Sequence, residues 1–349
     1  MRIQEIHLHL CHRFPVTEIH PADAICEFLQ RNLPFCEEVP GDIRKLVIHG
    51  GVHLVSPQPG FGILPDLTDQ ESIFLLFSDR LAEGAPEIMI DIMCGVFTEL
   101  ARNGYTMSLM DISDEAHPKE TIRDIIDQKS ADGIVIHGSV INQATADLII
   151  DRSFPHLVIG HPDFDNRLCW VDTNHELAGE HAGEYILKHD AFPTVFIGGR
   201  KNEFISHERE KGFRSFLLRH KHRVTSDHVV YTSSTWQEGY EAAMKILSYD
   251  SSDASAAGGN QIPGSIVCEN NTIAVGVSRA IKELGLSVPE DVAFLTFDVY
   301  PYSTILDPKP EVVEINVYDM GVQAGAMICR KIDNPGLMIQ SYITLPEME

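Results

Sequence analysis

The 349-residue chain is short of positive charge, with 27 Lys and Arg against 51 Asp and Glu, for a formal net charge of -24. Such a surface repels nucleic acid at long range, so any DNA contact must come from a local basic patch. No run of about 18 apolar residues occurs, and none of the length a membrane-spanning helix needs is expected. The start, Met1-Arg2-Ile3-Gln4-Glu5-Ile6-His7, lacks the basic, apolar and small-residue succession of a secretory leader, so an exported protein is not expected. The seven cysteines, at positions 11, 26, 36, 94, 169, 268 and 329, are scattered, odd in number and form no C-x-x-C pair. That pattern suits reduced thiols in a cytoplasmic protein better than a disulfide framework. Also absent, in the strand–turn–helix context each requires, are G-x-S-x-G, H-E-x-x-H, a P-loop and G-x-G-x-x-G. Gly198-Gly199-Arg200 follows a strand-like run but lacks the rest of a dinucleotide fingerprint. Catalysis and a bound cofactor are therefore not expected. His7 and Cys11 share a helix face at i, i+4 spacing, but no further pair of metal ligands accompanies them, so no metal is expected.

What is present is alternation. At 44% hydrophobic and 22% charged residues the composition is that of a globular chain, and the length implies more than one core. Ser72–Phe77 is a short apolar run of the kind buried in a parallel sheet. Ile88, Ile92, Val96 and Leu100 form one helical stripe over 86–103, which Asn103-Gly104 closes. A strand over 105–110, a helix over 117–130 and strands over 133–136 and 157–160 follow. The pattern then repeats, with strands at 194–198, 265–268 and 292–297 and helices near 206–219 and 272–284. Residues 250–263, rich in Asp, Ser, Ala and Gly, read as a loop. Repeated βαβ units require parallel sheets covered by helices on both faces, and two sets of similar size imply two lobes. Ligands of open α/β sheets sit outside the carboxyl ends of the strands. Ser78, Asp79, Arg200, Asn270, Asn271 and Asp298 all follow such strands.

Four further stretches, in order, carry a family pattern. They are Ala131-Asp132-Gly133-Ile134-Val135, Arg209-Glu210-Lys211-Gly212-Phe213, Asn270-Asn271-Thr272-Ile273-Ala274-Val275-Gly276 and Gly285-Leu286-Ser287-Val288-Pro289-Glu290-Asp291-Val292. Together they resemble the ligand-binding domain of LacI/GalR-family regulators, itself similar to periplasmic sugar-binding proteins. The resemblance implies a two-lobed α/β domain of the periplasmic-binding-protein-like type I, with two parallel doubly wound sheets, over 72–349. Lobe 1 is expected at about 72–171 and 300–330, and lobe 2 at about 172–299 and 331–349. It implies a sugar-like effector held by Ser78 and Asp79 from the first lobe and by Arg209, Asn270 and Asp298 from the second, with Trp236 as an aromatic platform. The bland alternatives are a surface arginine at 209, a helix cap at Asn270, an Asx-turn at Asp298 and a packing residue at Trp236. The chain departs from the family at Thr296, Val299, Asn271 and Gly160, where glycine or acidic residues are usual.

Residues 1–65, joined to this domain by a linker at 66–71, are expected to form a small winged-helix-like DNA-binding domain. Helices are read over 3–12, 21–29 and 37–48. The stretch Gly50–Leu64 resembles the two-stranded wing of GntR-type regulators. Only Arg31, Arg44 and Lys45 are placed to meet DNA phosphates or bases; the segment holds five basic and seven acidic residues, and Pro40-Gly41 interrupts its third helix. The resulting expectation is a cytoplasmic, homodimeric, ligand-responsive transcriptional repressor. Helix 86–103 and strand 105–110 are its candidate dimer elements, and no membrane partner is expected. The alternative is a sugar-binding sensor of the same fold without DNA-binding activity.

Overall fold

A computed structural model describes residues 9–10, 37–38, 47–48, 52–55, 72–77, 86–112, 118–248, 262–298, 306–337 and 341–348. These residues belong to two compact units, Met1–Asp172 with Val317–Ile343, and Thr173–Asn316 with Thr344–Glu349.

The sheet of the first unit contains β3 (Val47–Ile48), β4 (Val52–Val55), β5 (Ser72–Phe77), β6 (Thr106–Asp111), β7 (Gly133–His137), β8 (His156–Ile159), β9 (Trp170–Thr173) and β15 (Ser341–Thr344), in the order β15-β9-β8-β7-β5-β6-β4-β3. Its centre is apolar throughout: Ile73, Leu75, Leu76, Ile134, Val135 and Ile136 are fully buried, as parallel strands covered on both faces must be. Helices α1 (Pro86–Arg102), α2 (Pro118–Gln128), α3 (Gln143–Asp151) and α8 (Val317–Asp333) belong to this unit. Gly104, at φ +82°, ends α1 in the left-handed conformation that the Asn-Gly pair implies.

The second unit holds a fully parallel sheet of β10 (Thr194–Gly198), β11 (Val229–Tyr231), β12 (Ser265–Cys268), β13 (Ala293–Phe297) and β14 (Glu311–Val313), ordered β11-β10-β12-β13-β14. Its helices are α4 (His175–Lys188), α5 (Phe204–Arg219), α6 (Trp236–Leu247) and α7 (Asn271–Glu283). Helices α4 and α5 cross at backbone distance. A Cβ on Gly212 would overlap the Glu176 carbonyl, and one on Gly179 would overlap the Arg209 carbonyl. The crossing therefore fixes the height of Arg209 on α5.

Two expected boundaries move. Residues 306–316 belong to the second unit rather than the first, because β14 extends its sheet beside β13. Residues 331–343 belong to the first, because α8 continues unbroken to Asp333 and packs along α1. The N-terminal segment also differs from its reading. His9–Leu10 (β1) and Glu37–Glu38 (β2) form a two-residue parallel pair where helices were expected, and Val47–Ile48, the end of the expected third helix, pairs antiparallel with Val52–Val55. Within the expected wing, Val52–Val55 lies parallel to β6 as part of the first unit's sheet. The short run Val52-His53-Leu54-Val55 thus covers the backbone edge that β6 would otherwise expose. Strand 105–110, expected at a dimer face, is paired on both sides, by β5 and β4. The helix expected over 21–29 and the rest of the wing lie outside the described residues.

Candidate functional site

The polar residues of the second unit converge where β10, β12 and β13 end. Arg209, on the inner face of α5, is 3% exposed and so is Asp298, the residue after β13. Arg209 Nη2 donates to Asp298 Oδ1 at 3.2 Å and Nη1 to Oδ2 at 3.4 Å. The guanidinium lies over the Phe297 ring, 4.7 Å from its centroid. Asp298 is held by its own backbone: its N–H donates to the Val313 carbonyl at 2.9 Å, and its φ of +74° is one that Asp and Asn adopt more readily than other side chains.

Three more groups complete the cluster. Arg209 Nη1 also donates to the Glu269 carbonyl at 2.5 Å, and Nε donates to His175 Nδ1 at 3.3 Å, which places the imidazole's lone pair on Nδ1. The Glu269 carboxylate is buried and accepts the Gly199 N–H. Burial pushes its carboxyl above the usual range, against the opposing pull of its hydrogen bonds and of the Arg209 charge. Asn271 Nδ2 donates to the Asp298 carbonyl at 2.9 Å. Its Oδ1 is buried with no hydrogen-bond partner among the described residues.

Of the residues singled out in the sequence, Arg209 and Asp298 are thus in direct contact. Asn270 is not turned toward them. Its Oδ1 accepts the Ile273 N–H at 3.0 Å as the N-cap of α7, and the cap directs the following residue, Asn271, to Asp298. Trp236 opens α6, 38% exposed, and its ring faces the Arg279 guanidinium at 5.5 Å, a surface pairing. Arg200 is exposed and pairs with Glu203 at 3.0 Å. Ser78 and Asp79, and the expected DNA contacts Arg31, Arg44 and Lys45, lie outside the described residues. Glu269, His175 and Phe297 carry no site signal in the sequence, and Asn271 stands out there only by its place after a strand and as a departure from the family pattern.

A groove of about 440 Å³ lined by His207, Lys211, Arg214, Leu218 and Arg223 is a separate feature of the second unit. Its cations are largely spent on neighbours: Lys211 pairs with Glu176 and Glu208, and Arg214 with Glu210.

The first unit carries its own polar group at the same end of its strands. The His161 N–H donates to Asp172 Oδ2 at 2.9 Å, and the His161 ring meets Trp170 edge-on, with centroids 4.6 Å apart. His137 ends β7. Desolvation lowers its pKa to about 4, with Asp172 working in the opposite direction. The folded state therefore favours the neutral ring. Stability is complete above the unfolded value near 6.5 and declines as pH falls from there toward 4. The loss expected across that window is about 2–3 kcal/mol. Thermal unfolding at pH 7.5 and 4.5 should show the loss in the wild type, and His137→Gln should remove that share of it.

Two α/β units, each built on a largely or wholly parallel sheet, define a periplasmic-binding-protein-like fold. Residues 187–347 match the family model for the periplasmic binding protein-like domain. The chain is similar to the HTH-type transcriptional repressor PurR of Pasteurella multocida, 23% identical over 244 residues, 70% of each chain. It is likewise similar to catabolite control protein A of Staphylococcus epidermidis, 22% identical over 236 residues, 66% of this chain and 68% of the relative. Among solved structures, the regulatory protein of the LacI family from Chloroflexus aggregans superposes with a TM-score of 0.70 at 18% identity, covering 79% of this chain and 96% of that one. The transcriptional regulator CelR in complex with cellobiose superposes at 0.67 and 17% identity, over 80% and 84%. No helix among the described residues is long and apolar enough to cross a membrane.

Proposed function

We propose that the chain is a ligand-responsive transcriptional regulator. Its C-terminal domain binds a small sugar-like effector, and that binding sets the DNA affinity of the N-terminal segment. The observation that carries the reading is the Arg209–Asp298 pair. A charged pair this deeply buried is weak support for stability, yet it offers oriented donors and acceptors of the kind that hydroxyl recognition requires. The HTH-type transcriptional repressor PurR and the cellobiose complex of the transcriptional regulator CelR support a regulator that takes a small effector. The effector acts by binding one conformational state more tightly than another, which is the only way a ligand can shift an equilibrium. In this reading the protein is a cytoplasmic homodimer without enzymatic activity. Arg209 and Asp298 serve the effector, while Arg31, Arg44 and Lys45 of the N-terminal segment meet the DNA.

One observation favours a second reading, a sensor without DNA-binding activity: residues 1–65 carry more acidic than basic side chains. Anisotropy of a labelled random duplex separates the two. A regulator binds at roughly 50 mM salt and loses about 10³-fold in affinity by roughly 200 mM if its head contacts several phosphates. No binding at the lower salt would leave only the sensor.

A further inference from the structure

The hydrogen-bonding inventory of the second unit's cluster restricts what can occupy it. A guanidinium has five N–H donors. In Arg209, Nε–H goes to His175, the two Nη1 hydrogens go to the Glu269 carbonyl and Asp298 Oδ2, and one Nη2 hydrogen goes to Asp298 Oδ1. Among the described residues a single Nη2–H is left over. The spare capacity on the other side is all acceptor. The Asp298 carboxylate retains lone pairs beyond the two bonds it takes from Arg209. Asn271 is 3% exposed, and its buried Oδ1 has no donor facing it among the described residues. Its orientation is not interchangeable, because the Nδ2 end is fixed by its bond to the Asp298 carbonyl. A second buried acid, Glu269, lies beside Arg209, which donates to its backbone carbonyl and acts on its carboxylate only through charge.

A phosphate or carboxylate brings acceptors and negative charge to a place that already has both in excess. To grip Arg209 in two-pronged fashion it must displace Asp298, leaving that carboxylate buried and unpaired beside the incoming anion. A hydroxyl or amine supplies what is missing: a donor for Asn271 Oδ1 and for the free lone pairs of Asp298, plus one acceptor for the remaining Nη2–H.

We propose that this site takes a donor-rich effector carrying no phosphate or carboxylate, and that Asn271 and Glu269 set this preference. The inference rests on the effector-binding reading above. It assigns specificity to two residues outside the set that the family pattern supplied, and it excludes the phosphorylated and acidic forms of whichever sugar binds.

The test is calorimetric titration of the full chain with matched series: glucose, glucosamine, glucose 6-phosphate and glucuronate; galactose with galacturonate; ribose with ribose 5-phosphate. A neutral or amine-bearing member is expected to bind, with its phosphate ester and its uronate at least tenfold weaker. Asn271→Leu should weaken the best neutral member about tenfold. Glu269→Gln, which keeps the shape of the side chain, should narrow the gap between the neutral sugar and its uronate several-fold, and it serves as the second variant if Asn271→Leu does not fold. An anionic member that binds as tightly as its parent overturns this inference and leaves effector binding intact. Heat from no member overturns effector binding for these sugars and this inference with it.

Discussion

Arg209→Ala is expected to destabilise the second unit by about 3–5 kcal/mol, because it leaves the Asp298 carboxylate buried without its cation. The variant also strips the Glu269 carbonyl and the His175 ring of a donor and uncovers the face of Phe297. Asp298→Asn should cost a similar amount by stranding the guanidinium. Asparagine is the right replacement there, since it adopts the left-handed backbone at φ +74°, whereas alanine adds about 1–2 kcal/mol of backbone strain. The double variant Arg209→Met with Asp298→Asn removes both charges together and should recover most of the loss. Denaturant unfolding of the wild type, Arg209→Met, Asp298→Asn and the double variant gives the coupling between the two positions directly. Strictly additive losses would mean that the two side chains do not stabilise one another. The effector response should be lost in all three variants, including the double variant with its recovered stability.

Gly212→Ala should be the most disruptive substitution remote from the effector. Its Cβ overlaps the Glu176 carbonyl, so α4 and α5 must separate at a point where neither backbone can yield cheaply. Overpacking of this kind costs about 1–3 kcal/mol and sometimes more. Because α5 carries Arg209, the separation also shifts the guanidinium from Asp298, and effector affinity should fall along with stability. Gly336→Ala is the control. Its added Cβ meets only Asn334 Oδ1 at 3.6 Å, an ordinary contact, and its effect should stay within about 0.5 kcal/mol. The two variants are compared by thermal unfolding and by effector titration.

The elements that could be read from the sequence share one property: their apolar residues are large. Ser72–Phe77, Thr194–Gly198 and Ser265–Cys268 are continuous aliphatic or aromatic runs, and the structure has strands at those residues. Helix α4 was passed over because its buried stripe is Ala178, Gly179, Ala182 and Gly183. Small residues register weakly as a hydrophobic period, although they are what allows α5 to approach. Strands β11 and β14 are three residues long, with charged or half-buried positions, and acquire their structure from the neighbours they pair with. Within the site, Arg209 and Asp298 carried a family pattern and were legible. Asn271 was not, because Asn270 and Asn271 are equivalent on paper. Only the capping bond to Ile273 decides that the first closes the helix and the second faces Asp298. Glu269 and His175 had no signal. Their part depends on Arg209 reaching across from α5 to the start of α4 and the end of β12, a long-range arrangement that local spacing does not encode.

The central claim is that an effector is held by the Arg209–Asp298 cluster. The most direct measurement is the unfolding midpoint of the wild type and of Asp298→Asn, each with and without the best ligand from the titration series at about 100 times its dissociation constant for the wild type. Mass action then stabilises the wild type by about 2.7 kcal/mol. The predicted result is that full gain in the wild type and none in Asp298→Asn. An equal gain in both proteins would place the effector elsewhere and contradict the assignment.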